Sequence, residues 1–248
     1  MAGAGPEAVK AILVVAVARH PPRPVRGGPV AVRPHRLRRC LRGEPFMTTA
    51  RDLFIIAMDP PPERTVGQGD LSLALAGAEL LDLLDAGAVT VDGDLVVPGG
   101  SSVPDDRLLA AAAAEITRQP PHERVEDWLW RRGRDLAAAY QDALEEDGEL
   151  KRKRSGLLPF GPKEVELVDT PARRRAAARR EQGDPVLASL ASAVGLDGER
   201  PEGEEPGLGD ETVTTVVATV HEAVMELEAV RQRRTIENTA FANVWRGP

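Results

Sequence analysis

The chain has 248 residues, 42% of them hydrophobic but only 3% aromatic, with one cysteine and a formal charge of −7. That length can bury one sizeable core or two small ones, and aliphatic residues and alanine must fill it. The single thiol, Cys40, lies in an atypical N-terminal segment. Residues 47–248 therefore exclude disulfides, thiolate metal sites and cysteine nucleophiles, a usage that fits a reducing cytoplasm.

The first 46 residues carry nine Lys and Arg against two Glu, a net of +7, so the remainder carries −14. Scattered prolines and an apolar run of only eight residues, "AILVVAVA", predict a disordered basic extension rather than a membrane span or signal peptide. Met47 then reads as a plausible start, and residues 47–248 as one globular domain. Its acidity opposes non-specific nucleic-acid binding, which needs many phosphates neutralised by Lys and Arg.

Along that domain, "ARDLFIIAMD" predicts a short apolar helix, closed by the prolines and glycines of "PPPERTVGQGD". Leu73, Gly77, Leu80, Leu81 and Leu84 follow at helical spacing, with Asp82 and Asp85 expected to point outward and Gly87 to end the helix. "AVTVDGDLVV" alternates around Asp92-Gly93 and predicts a hairpin over 89–97. A helix starting at Pro104 and Asp105 places Leu108, Leu109, Ala112 and Ile116 on one face. Val125, Trp128 and Leu129 form the next stripe, with Trp128 expected in the core, and Leu136, Tyr140, Ala143 and Leu144 the one after. Gly133 is positioned to break that stretch in two. Gly148 repeats the role of Gly87, and a second hairpin runs over 150–168. Pro171 opens a basic helix, "PARRRAAARREQGD", and "PVLASLASAVGL" supplies another. Residues 197–210 are acidic, rich in Gly and Pro, and expected as a disordered loop. Val213, Val216, Val217, Val220, Val224 and Leu227 make one buried helical face before a tail, "NTAFANVWRGP", expected to be mobile. The fold class is therefore mainly α with short β-hairpins, built on helix-glycine-hairpin units that resemble a winged helix.

Catalytic patterns are absent: no Gly-rich phosphate loop, no HExxH, no serine elbow. The four histidines are dispersed, and His221, near the apolar side of the last helix, reads as structural. No enzyme activity, metal site or cofactor is expected. The second hairpin stands apart, because Lys151, Arg152, Lys153 and Arg154 adjoin Leu157, Leu158 and Phe160. Cations beside an apolar tip suit an anionic membrane, each basic residue near such a surface contributing ~1 kcal/mol. The same residues can instead pack a hairpin into the core or pair two copies of the chain.

"ARDLFIIAMD", "LSLALAGAELLDLLDAGAV", "SVPDDRLLAAAAAEI", "QPPHERVEDWL" and "LEEDGEL", in that order, resemble the Golgi phosphoprotein family over about residues 50–235, and the composition resembles its prokaryotic members. The resemblance implies a mostly helical domain attached peripherally to membrane, binding phosphatidylinositol 4-phosphate in eukaryotic relatives and acting as an adaptor for protein cargo. It also implies a lipid pocket made of one Trp and three Arg. Those positions fall at Gly67, Ala76, Arg134 and Ala137, so only Arg134 matches, with Arg131 and Arg132 close enough to substitute in part.

The expected function is that of a cytoplasmic protein held at the cytoplasmic face of a membrane by anionic phospholipid, with Arg134, Arg131 and Arg132 at the head group and the second hairpin in contact. The alternatives are a non-catalytic interaction protein that forms homo-oligomers through that hairpin, and a winged-helix DNA binder. The acidic residues Asp82, Asp85, Glu145, Glu146 and Asp147 on the helices before both hairpins oppose the last.

Overall fold

The structure, a computed structural model, describes residues 48–59, 66–100, 105–154, 163–196 and 208–246. The extension expected at 1–46 and residues 197–207 of the expected acidic loop lie outside them. Eight helices and five short strands make up the described residues, a mainly helical architecture with two small antiparallel sheets.

Helix α1 (Thr49–Ala57) begins where the Thr48 hydroxyl accepts the Arg51 N–H, and eight of its nine residues are buried. Nine residues are too few to hold a helix in water unaided, so packing on α2 (Gln68–Asp85) must sustain it. One polar contact joins the two. Asp82 accepts the backbone N–H of Thr49 at 2.8 Å and of Ala50 at 3.0 Å, one through each carboxylate oxygen. The outward orientation expected for Asp82 is thus wrong: the first turn of α1 has N–H groups without intrahelical partners, and the carboxylate turns in to cap them. Asp85 is exposed, as expected.

Helix α2 is the central element, buried from Leu71 to Leu81. Its apolar residues face α1 on one side and α8 (Glu211–Arg246) on the other. Gly77 permits the second approach, since a Cβ there would lie 2.3 Å from Cγ2 of Val220. Gly87, at φ 68°, ends the helix and leads into β1 (Val89–Asp92) and β2 (Leu95–Pro98). The register pairs Asp92 with Leu95, so the turn residues are Gly93 and Asp94, one position beyond the dipeptide expected. A third strand, β3 (Glu123–Arg124), pairs with β2. At two residues it is too short to show alternation in the sequence.

Helix α3 (Arg107–Ala114) starts after Asp106, whose side chain accepts the Leu109 N–H, two residues later than Pro104 suggested. Gly133 does divide the next stretch, into α4 (Val125–Arg132) and α5 (Leu136–Glu146). Trp128 is 0% exposed and donates its indole N–H to the carbonyl of Ala76 at 3.2 Å. Gly148 ends α5 at φ 73°, and β4 (Leu150–Arg154) and β5 (Lys163–Leu167) form the second hairpin. Thr170 and Asp184 cap α6 (Pro171–Glu181) and α7 (Pro185–Ala193), each with Pro at its start.

The valine stripe of α8 is buried at Val216, Val217 and Val220, and Val213, Val224 and Leu227 pack against the same core. Leu208 also packs there, so the end of the expected acidic loop is tied down. The tail expected to be mobile continues α8 to Arg246. Nothing breaks the helix before Gly247 and Pro248, and its Ala, Arg, Gln and Glu residues favour helix.

Candidate functional site

Leu150 and Leu167 are partners at the base of the second hairpin, and both are buried. From that anchor the register opposes Lys151 to Glu166, Arg152 to Val165, Lys153 to Glu164 and Arg154 to Lys163. Lys151 is exposed. Arg152 is exposed too, yet its guanidinium bonds Glu145 of α5 and lies 3.9 Å from Asp142. Near the base, then, Lys151 is the register partner of Glu166 and Arg152 bonds a carboxylate. At the outermost described position the register partners are Arg154 and Lys163. Leu157, Leu158 and Phe160 lie outside the described residues.

The three expected head-group arginines are placed differently from one another. Arg131 of α4 forms a fork on Glu123, with Nε at 2.7 Å and Nη2 at 2.8 Å, and its Nη1 reaches Glu115 at 2.8 Å. Its guanidinium carbon also sits 5.1 Å from the centre of the Trp128 ring. Arg132 forms a second fork on Glu79, at 2.7 and 3.1 Å, and bonds Glu115 and the Leu108 carbonyl. Glu79 is 0% exposed and accepts the Tyr140 hydroxyl at 3.1 Å. Burial pushes the Glu79 carboxyl upward, and Arg132 and Tyr140 pull it back. Both arginines thus join α2, α3, α4 and β3 through carboxylates, and neither presents a free fork. Arg134 is exposed in the short link between α4 and α5 and makes no ion pair among the described residues. The link is held against the first turns of α2. A Cβ on Gly133 would be 3.3 Å from the Ser72 carbonyl oxygen, and the Ala137 N–H donates to the Ser72 hydroxyl at 3.0 Å.

The remaining pocket positions are filled from within. Ala76 and Ala137 are buried, with no room for an arginine without repacking. At Gly67 a Cβ would lie 2.2 Å from Oδ2 of Asp70 and 3.3 Å from Nη1 of Arg231. Arg231, from α8, contacts both Asp70 oxygens at 2.7 Å. An internal ion pair therefore occupies the space a large side chain at position 67 would take. Sequence reasoning missed Arg231, whose partner is 161 residues away.

Several other charged groups are paired internally. The basic helix α6 has Arg173 bonded to Asp59, Arg174 to Asp169, and Arg179 to Asp52 and Asp184. A helix neutralised in this way is a poor groove reader for DNA. His221 has its Nε2 3.1 Å from the Ser189 carbonyl oxygen, in keeping with a structural role. Arg51 lines a polar cleft with Asp106 and Asp147 and bonds Asp147 and Glu149. Among the described residues there is no His, Cys, Asp and Glu cluster suited to a metal ion, and no helix long and apolar enough to cross a membrane.

The family model for Golgi phosphoprotein 3 (GPP34) matches residues 50–235. The chain belongs to that family. The match begins at Ala50, in the first turn of α1, and ends at Thr235, within α8, so every strand and all but the end of the last helix lie inside the Golgi phosphoprotein domain. No curated protein matches the chain.

Proposed function

We propose that this Golgi phosphoprotein family member is a non-catalytic, peripheral membrane protein that binds anionic phospholipid through the β4–β5 hairpin and acts there as an adaptor. The observation that carries the reading is the hairpin register, anchored by the buried Leu150 and Leu167, which makes the basic residues Arg154 and Lys163 partners at its outermost described position. Arg152 is compensated by Glu145 near the base, and in the sequence the basic run leads on to Leu157, Leu158 and Phe160. Basic residues adjoining apolar ones in sequence supply the two contributions that reversible membrane attachment needs.

Arg134 is the head-group contact in this reading, and Arg131 and Arg132 serve as struts that position it. Arg134 and the hairpin lie at opposite ends of α5, whose 11 residues span ~16 Å. A lone arginine cannot form the paired fork that selects a phosphate monoester. The expected specificity is accordingly for negative surface charge rather than for one phosphoinositide.

Flotation of the full chain with vesicles of neutral or anionic composition tests this. Binding is expected only to anionic vesicles. Replacing Lys151, Arg152, Lys153 and Arg154 with Ser is expected to reduce it chiefly at low salt, because exposed charges are screened over ~8 Å at physiological ionic strength. Replacing Leu157, Leu158 and Phe160 with Ser removes an apolar contribution and is expected to reduce it at every salt concentration. Hairpin variants that float like the parent refute the assignment.

A further inference from the structure

Arg134 and Arg231 come from elements far apart in sequence, yet both lie along the first turns of α2. Helices α4 and α8 pack against each other. They share one side of α2, since a Cβ on Gly77 would lie 3.6 Å from Leu129 of α4 and 2.3 Å from Val220 of α8. Toward the start of α2, α4 ends at Gly133, where a Cβ would lie 3.3 Å from the Ser72 carbonyl oxygen and 3.4 Å from Cδ2 of Leu73. Arg134 is the next residue, exposed and without an ion pair among the described residues. One turn earlier in α2, the Arg231 guanidinium lies over two glycines: a Cβ would be 3.3 Å from Nη1 at Gly67 and 2.9 Å from Nη2 at Gly69. Three residues of helix separate Gly69 from Ser72, a rise of ~4.5 Å.

Arg231 itself holds a carboxylate. Its Nη1 contacts both Asp70 oxygens at 2.7 Å and lies 3.6 Å from Glu228. Its Nε and Nη2 make no hydrogen bond among the described residues. Water reaches the pair, for the Arg231 side chain is 38% exposed and that of Asp70 16%. Ion pairs open to water contribute ~1 kcal/mol or less, whereas a planar fork on two oxygens of one anion is among the stronger charged contacts. Beside the two arginines stand three carboxylates, Asp70, Asp135 and Glu228, so the local balance is negative.

We propose that Asp70 is an autoinhibitory contact: it occupies Arg231 and so keeps that arginine from joining Arg134 on a phosphate monoester. The inference rests on the reading of Arg134 as the head-group contact, and it names one ion pair as the cause of the expected response to surface charge rather than to a particular head group. Once Asp70 is neutral, Arg231 and Arg134 supply two planar donor sets for adjacent oxygens of a single phosphate. A monoester presents three such oxygens and suits the pair. A phosphodiester lipid presents only two.

Two titrations of the full chain compare the parent with Asp70→Asn, which removes the competing charge and keeps the shape. Inorganic phosphate, followed by NMR at the Gly69 and Arg134 amides, reads the arginine pair without lipid and is expected to bind Asp70→Asn about tenfold tighter than the parent. Flotation then uses vesicles of equal surface charge made with phosphatidic acid, a monoester, or phosphatidylglycerol, a diester. The parent is expected to bind the two alike, and Asp70→Asn to favour phosphatidic acid. Asp127→Asn, which removes an exposed charge of α4, is expected to show neither gain. Adding Arg231→Gln or Arg134→Gln to Asp70→Asn is expected to abolish both gains, with circular dichroism checking that each variant is folded. Equal phosphate affinity in the parent and Asp70→Asn overturns the proposal. So does a gain matched by Asp127→Asn, or one that survives Arg231→Gln. Phosphate binding to Asp70→Asn as expected, with no variant or parent on any vesicle, supports the contact as a gate for phosphate in solution and refutes the lipid reading.

Discussion

Glu79 and Arg132 are the most deeply placed ion pair among the described residues, and removing one partner is expected to be far more damaging than removing the whole polar cluster. In Glu79→Ala the Arg132 guanidinium keeps Glu115 and the Leu108 carbonyl but loses both bonds of its fork, and the Tyr140 hydroxyl loses its acceptor. Breaking a buried pair in this way costs ~3–5 kcal/mol, a large part of the ~5–15 kcal/mol that holds a typical domain folded. Replacing all three groups, as Glu79→Leu/Arg132→Met/Tyr140→Phe, removes the buried polar side chains together and leaves only the partly exposed Glu115 and the Leu108 carbonyl without the Arg132 donor. That triple variant is expected within ~1 kcal/mol of the parent, since apolar replacement of buried pairs is often neutral. Urea unfolding at pH 7, with the denaturant slope compared between variants, measures both. A loss below ~1 kcal/mol for Glu79→Ala, or a triple variant as unstable as the single one, refutes the reasoning.

Gly77→Ala drives a Cβ to 2.3 Å from a Val220 methyl; overpacking costs ~1–3 kcal/mol against a gain of ~1 kcal/mol in helix propensity, so a net loss is expected in thermal unfolding. Val220→Ala opens the space, and the double variant is expected to lose less than the two single losses together; strict additivity would contradict the close approach of α2 and α8. Burial pushes the Asp82 carboxyl up to about 6, above its ordinary value of ~3.9, despite its two backbone donors. The folded state then holds more protons than the unfolded one between about pH 4 and 6, so the Asp82 contribution is greatest at low pH and is lost as pH rises through 6. Stability measured against pH for the parent and Asp82→Asn is expected to diverge over that window, and parallel curves would contradict it.

What the sequence revealed was local. Gly87 and Gly148 end their helices with positive φ because each must reverse the chain into a strand, and glycine is the residue that takes this conformation without strain. Asp92-Gly93 located a two-residue turn to within one position, and the valine spacing of α8 identified its buried face. Charged partners far apart in sequence were another matter. Periodicity reports which side of a helix is apolar, but not that Asp82 would turn to α1, that Arg132 would find Glu79, or that Arg231 would find Asp70. An outward-facing carboxylate and one that caps a neighbouring helix have the same spacing. The end of α8 was misread because polar residues with little apolar pattern suggested a tail, although their helix propensity is high and no breaker intervenes.

The capping of α1 by Asp82 also sets an order of assembly. As the chain is synthesised, α1 emerges before the residues that hold it: Asp82 follows Ala50 by 32 residues, and Arg179, which binds Asp52, follows by 127. A nine-residue helix cannot persist through that interval alone, so this early segment gains its lasting structure late, after α2 and then α6 have appeared. Its reliance on distant partners raises the contact order of the fold and slows its closing step. Pulse-labelled hydrogen exchange during refolding would show this as late protection of the Leu53 to Ile56 amides, and protection there ahead of α2 would contradict it.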